Sequence, residues 1–161
     1  MIVELQEYIE PVVDVCINTF REFVGIEVTP RHPHFLDTED DVDWDISVII
    51  GLSGAVKGAV IISMKTELAT KITGLLTGDT HTEIDADVVD AIGEINNIIS
   101  GNIKPKVPNG DKIVISIPTI VKGKEYSITW PGKQTRVLCI PHKVFDNDVF
   151  HLMVAIEVEN T

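Results

Sequence analysis

Asp85-Ala86-Asp87-Val88-Val89-Asp90-Ala91-Ile92-Gly93-Glu94-Ile95-Asn96-Asn97-Ile98-Ile99-Ser100-Gly101-Asn102-Ile103-Lys104 carries the clearest periodicity in the chain. Asp85 and Asp87 stand at the end where a helix exposes unpaired N–H groups, Lys104 stands at the other, and Pro105 and Pro108 close it. The spacing therefore predicts one helix over 85–104. At about 100° per residue, with Val88 as zero, Ile92, Ile95 and Ile99 fall within about 40°, and Ala91 and Ile103 near about 60° to either side. That face is expected to pack inward. On the same projection Gly93 lies near about 140°, Asn97 about 180°, Asp90 about 200°, Gly101 about 220° and Glu94 about 240°, so all five are expected to face outward. Glu94 and Asn97, three residues apart, become neighbours on that surface. Gly93 and Gly101 share it, although each costs roughly 0.8–1 kcal/mol relative to alanine inside a helix. Close approach of a partner's backbone or side chains to the helix gives such a cost a purpose. A solvated face that merely tolerates small residues gives the same pattern, and spacing alone does not choose between them.

Upstream of this helix, Leu68, Ile72, Leu75 and Leu76 repeat at helical spacing and Gly78 closes the run. Earlier still, 46–50 and 59–64 are β-rich runs separated by Gly51, Gly54 and Gly58, which predicts a hairpin with a loose, glycine-bearing turn. At the start, Leu5, Ile9, Val12, Val13, Cys16 and Phe20 form one helical stripe ended by Gly25. Pro11 implies that this helix begins near Glu10 or kinks there, and 26–29 reads as a short strand. Downstream, 113–117, 126–130, 136–140 and 150–158 are strand-like, the last alternating Phe150, Leu152, Val154, Ile156 and Val158. Helices early and strands late predict class α+β, or an α/β sandwich: a mostly antiparallel β-sheet covered on one face by helices, in a single domain over 1–161.

Charge narrows the partners. With 25 acidic against 13 basic residues the formal net charge is −12, which disfavours nucleic acid and anionic membrane surfaces. No apolar run reaches the roughly 20 residues of a membrane-spanning helix, and Met1 to Glu7 lacks the basic, then apolar, start of a secretory signal, so a cytoplasmic location is expected. Cys16 and Cys139 lie in apolar stretches and read as core thiols. Between 31 and 45, His32 and His34 run into six carboxylates without a fixed ligand spacing, which reads as a charged loop and not a metal site. His81, His142 and His151 are scattered and read as structural.

Gly93-Glu94-Ile95-Asn96-Asn97-Ile98-Ile99-Ser100-Gly101-Asn102 resembles the signature helix of the CheC/CheX/FliY family of response-regulator phosphatases, Gly-Glu-x-x-Asn-x-x-x-Gly. Glu-x-x-Asn alone is uninformative, since Glu157-Val158-Glu159-Asn160 also fits it within a terminal strand. The likeness extends to the order of elements, the glycine-bearing hairpin and 118–124, and one signature helix rather than two is the CheX arrangement. Two departures are Asn96, where small residues are common in the family, and Pro105, which ends the helix early.

The resemblance implies a CheC-like fold, a homodimer paired through the sheets, and a substrate that is the aspartyl phosphate of a CheY-like receiver domain. It assigns Asn97 to the partner's site, where it positions water, and Glu94 to a partner lysine. Asp90, Gly93 and Gly101 are expected to contact the partner. No cofactor is expected on this chain, the Mg²⁺ belonging to the receiver. The alternatives left open are a receiver-binding module without hydrolysis and a structural homodimerisation domain.

Overall fold

The computed structural model describes residues 2–36, 43–123, 126, 128 and 137–158. Helix α1 (Ile2–Thr19) continues past Pro11 and does not begin at Glu10. An interior proline costs about 3 kcal/mol. Tyr8, Val12, Val15 and Cys16 are all buried along the same helix, and at about 1.5–3 kcal/mol per large apolar side chain their burial outweighs that cost. A π-type turn (Phe20–Val24) follows, and Gly25, at φ 82°, ends it with its N–H on the Phe20 carbonyl at 2.9 Å.

The strands are β1 (Val28–Pro30), β2 (His34–Phe35), β3 (Ile46–Gly54), β4 (Val56–Met64), β5 (Ile113–Ile115), β6 (Thr119–Lys122), β7 (Val137–Val144) and β8 (Asp148–Val158). Helices α2 (Thr66–Thr77) and α3 (Ala86–Ile103) lie between β4 and β5. The described strands form one eight-stranded sheet in the order β1-β7-β8-β4-β3-β5, with β2 also on β7 and β6 also on β3. Every pairing is antiparallel. The α+β architecture read from the sequence is the one observed.

Several local expectations need correcting. The β3–β4 connection is not a loose turn, because both strands run through Gly51 and Gly58 and only Ala55 separates them. Gly58 serves close packing: a Cβ there would clash with the Ala155 carbonyl oxygen of β8. Within the expected charged loop, His34 and Phe35 pair with Cys139 and Leu138, while 37–42 lie outside the described residues. Of the expected strand over 126–130 only Tyr126 and Ile128 are described. β6, not anticipated as a strand, pairs Ile120 with Val48.

Side chains alternate between two apolar layers. Val56, Val60, Ile62 and Met64 of β4 join the core beneath the helices, whereas Ala59 and Ile61 point to the opposite face with Trp44, Cys139 and Met153. Cys16 and Cys139 are buried thiols that form no disulfide among the described residues, and burial pushes the Cys16 thiol well up, so both behave as core residues.

Candidate functional site on helix α3

Asp85 starts α3 as its N-cap. Its Oδ1 accepts from the Val88 N–H at 2.9 Å, and Oδ2 lies 3.0 Å from His81 Nδ1. The His81 hydrogen bond first, and the Val88 N–H second, hold the Asp85 carboxyl below its ordinary range. His81, Asp85 and Asp87 bring possible ligand atoms within 4.8 Å of one another. Both Asp85 oxygens are engaged, and His81 Nε2 lies 2.9 Å from Thr77 Oγ1, so this cluster works as a helix cap that ties α2 to α3.

Beyond the cap, Val88, Ile92, Ile95, Ile99 and Ile103 are buried, which sets the inward face. Asp90, Glu94, Asn97 and Gly101 are exposed together on the other side. Among the described residues, neither Glu94 nor Asn97 has a hydrogen-bond or ion-pair partner within the chain. An amide and a carboxylate one turn apart are therefore exposed and available to a visitor. A Cβ on Gly101 would meet nothing within 4 Å, so the helix backbone is open there.

Gly93 departs from the expectation. It is buried, and a Cβ there would lie 3.7 Å from Ile120 Cδ1 of β6. The projection assumed inward packing on one stripe only, but β6 wraps the flank of α3 and covers this position. Gly93 thus belongs to an internal contact and offers no surface to a partner.

Sequence reasoning also passed over Asn96 and Ser100, both buried on that same flank. Asn96 Nδ2 donates to the carbonyls of Val48 at 2.9 Å and Val60 at 3.0 Å, and its Oδ1 accepts from Ser100 Oγ at 3.2 Å. The available signal was an amide only about 80° from the centre of an apolar stripe, where an unpaired polar group is costly.

The histidines stand apart from this face. His142 is buried and stacks on Phe150, with ring centroids 5.0 Å apart, and its Nδ1–H donates to the Ile140 carbonyl at 2.9 Å. His151 lies beside Trp44, 5.5 Å between centroids, and burial first, then the nearby His34 and His142, push its pKa down to about 4. The exposed face of α3 thus presents two carboxylates and an amide, Asp90, Glu94 and Asn97, and no histidine.

A profile of the family described as chemotaxis phosphatase CheX matches residues 46–142, a span that includes all of α3. The chain belongs to this CheX family. The family is one of phosphatases. A curated relative, the CheY-P phosphatase CheX of Thermotoga maritima, is 27% identical over 142 residues, covering 87% of this chain and 89% of its own. The structure also resembles the CheX of the Borrelia burgdorferi CheX–CheY–BeF3–Mg²⁺ complex, with TM-score 0.77, 25% identity, and coverage of 93% of this chain and 97% of that one. A CheC-like superfamily protein from Shewanella sp. PV-4 shares the fold, with TM-score 0.83 at 22% identity over 94% of this chain and 97% of that one. Among the described residues no helix is long and apolar enough to cross a membrane.

Proposed function

We propose that this CheX-family chain hydrolyses the aspartyl phosphate of a CheY-like receiver domain through Glu94 and Asn97. The observation that carries the reading is that these two side chains stand exposed and unpartnered among the described residues, on one face of α3. The Thermotoga relative is named for the same activity, and the Borrelia neighbour was captured with CheY.

Phosphoryl transfer asks for positioning and charge stabilisation more than for covalent chemistry from the protein. Asn97 enters the receiver's site. Its carbonyl oxygen accepts a hydrogen bond from water and its N–H group donates, which together hold the water in line with the phosphorus. The water oxygen bonds to phosphorus, the bond from phosphorus to the aspartyl oxygen breaks, the receiver's aspartate is regenerated as a carboxylate, and inorganic phosphate departs carrying the protons of the water. Glu94 pairs with a receiver lysine, fixing register and drawing that cation from the phosphoryl group. Asp90 and the open backbone at Gly101 border the contact. The Mg²⁺ of the reaction is assigned to the receiver and not to this chain. A cytoplasmic location and a homodimer joined through the sheet complete the reading, and sedimentation tests the dimer.

Turnover separates this reading from a receiver-binding adaptor. A receiver charged with acetyl phosphate is mixed with catalytic amounts of the protein, and phosphate release is followed. Faster release supports the phosphatase. Complex formation without faster release supports the adaptor.

A further inference from the structure

α3 carries an amide on its buried side as well as on its open one. Asn96 is 0% exposed, and the two hydrogens of its Nδ2 end on carbonyls of two different strands, Val48 of β3 at 2.9 Å and Val60 of β4 at 3.0 Å. Ser100 Oγ, one turn on, donates to its Oδ1 at 3.2 Å. β3 and β4 lie inside the sheet, flanked on both sides, so the anchor sits on strands held by neighbours at each edge.

Around this amide the helix meets the sheet through isoleucines: Ile92, Ile95 and Ile99. Apolar contact is non-directional and tolerates a small roll of the helix. Hydrogen bonds weaken steeply as their angles close, and one planar amide reaching two fixed carbonyls admits a single azimuth. We infer that Asn96 is a positioning residue that sets the roll of α3 on the sheet and so the direction in which Glu94 and Asn97 project. The inference rests on the phosphatase reading and deepens it.

The lever arm gives the scale. Asn97 follows Asn96 in the chain, about 100° further round the axis, and a side-chain tip sits about 5–6 Å from that axis. A roll of about 10° therefore moves the tip by about 1 Å, a displacement that costs about 10²-fold where a water must be held in line. A leucine at this position would bury as well. The amide instead adds direction to a contact that otherwise has none.

The test uses the full chain. Asn96→Leu keeps most of the volume and removes the donors, and Asn96→Ala serves where leucine overpacks. Each folded variant is assayed, well below its melting temperature, for kcat and KM against the acetyl-phosphate-charged receiver. In parallel, residual dipolar couplings of the α3 amides are compared with those of the sheet, since their periodic phase along the helix reports its roll. The expected result is a kcat lowered about ten- to hundredfold, a KM within about threefold of wild type, and a shifted phase. Wild-type kcat in a folded variant, or an unchanged phase, overturns the inference. A residue that only stabilises the fold lowers the melting temperature and moves neither. Should the wild type itself not speed phosphate loss, the phosphatase reading falls, and the coupling phase alone decides the role of Asn96.

Discussion

Replacing Gly101 by alanine separates the stability of α3 from its use. The position is exposed, a Cβ there meets nothing within 4 Å, and the next residues remain helical to Ile103. The methyl group is thus free of clashes and alanine's better helix propensity applies, reduced by nearness to the helix end, to give about 0.5–1 kcal/mol of added stability. For a chain of this size that raises the melting temperature by about 1–4 °C. Docking moves the other way. If a receiver lies directly on the helix backbone, an added methyl overpacks the contact by about 1–3 kcal/mol, weakening affinity by about five- to hundredfold. Thermal melts and titration with a beryllofluoride-charged receiver measure both, and Gly101→Leu should weaken binding further. Gly93→Ala is the control: its Cβ fits against Ile120 at 3.7 Å inside the fold, so it should leave affinity unchanged. A lower melting temperature for Gly101→Ala refutes the open-helix geometry, and wild-type affinity for both Gly101 variants refutes the close approach.

Three further outcomes follow from the same structure. Glu94→Ala should weaken both receiver affinity and turnover while folding stability stays within about 0.5 kcal/mol of wild type, because an exposed, unpaired carboxylate holds nothing together; unchanged KM and kcat would contradict its docking role. Asp85→Ala removes the N-cap of α3 and should cost about 1 kcal/mol, with Asp85→Asn retaining most of it; equal denaturation midpoints for Asp85→Ala and wild type would show that the cap is idle. His151 titrates near about 4 in the folded chain against an ordinary value of 6.5, so between those pH values the unfolded chain binds the extra proton. Its contribution, of order 3 kcal/mol, is complete above about pH 6.5 and is lost as pH falls towards 4. An NMR titration placing His151 near 6.5 would contradict that burial.

The helix was legible because its signal is local. Asp85, the isoleucine spacing and Pro105 bound α3 in the sequence, and the structure places it at Ala86–Ile103 with Asp85 as its cap. The exposure of Asp90, Glu94, Asn97 and Gly101 follows from helical geometry alone. The burial of Gly93 and the partners of Asn96 were not legible, because they come from distant parts of the chain: Ile120 of a four-residue strand covers one, and carbonyls of β3 and β4 hold the other, although the place of Asn96 beside the apolar stripe was visible. Pro11 is a related case: its local penalty points to a helix start near Glu10 or a kink, and the burial of Tyr8 and Val12 offsets that penalty so that the helix runs across it from Ile2. The glycines of the β3–β4 hairpin likewise read as a turn, whereas Gly58 answers to a carbonyl of β8 nearly a hundred residues away.

Asn97→Ala tests the account most directly. The side chain is exposed and without a partner among the described residues, so its removal should leave folding intact and even add a few tenths of a kcal/mol from helix propensity. Receiver binding should persist, and dephosphorylation of the acetyl-phosphate-charged receiver should fall by about 10²-fold or more. Release of phosphate at the wild-type rate by this variant would contradict the claim that an exposed amide on α3 performs the chemistry.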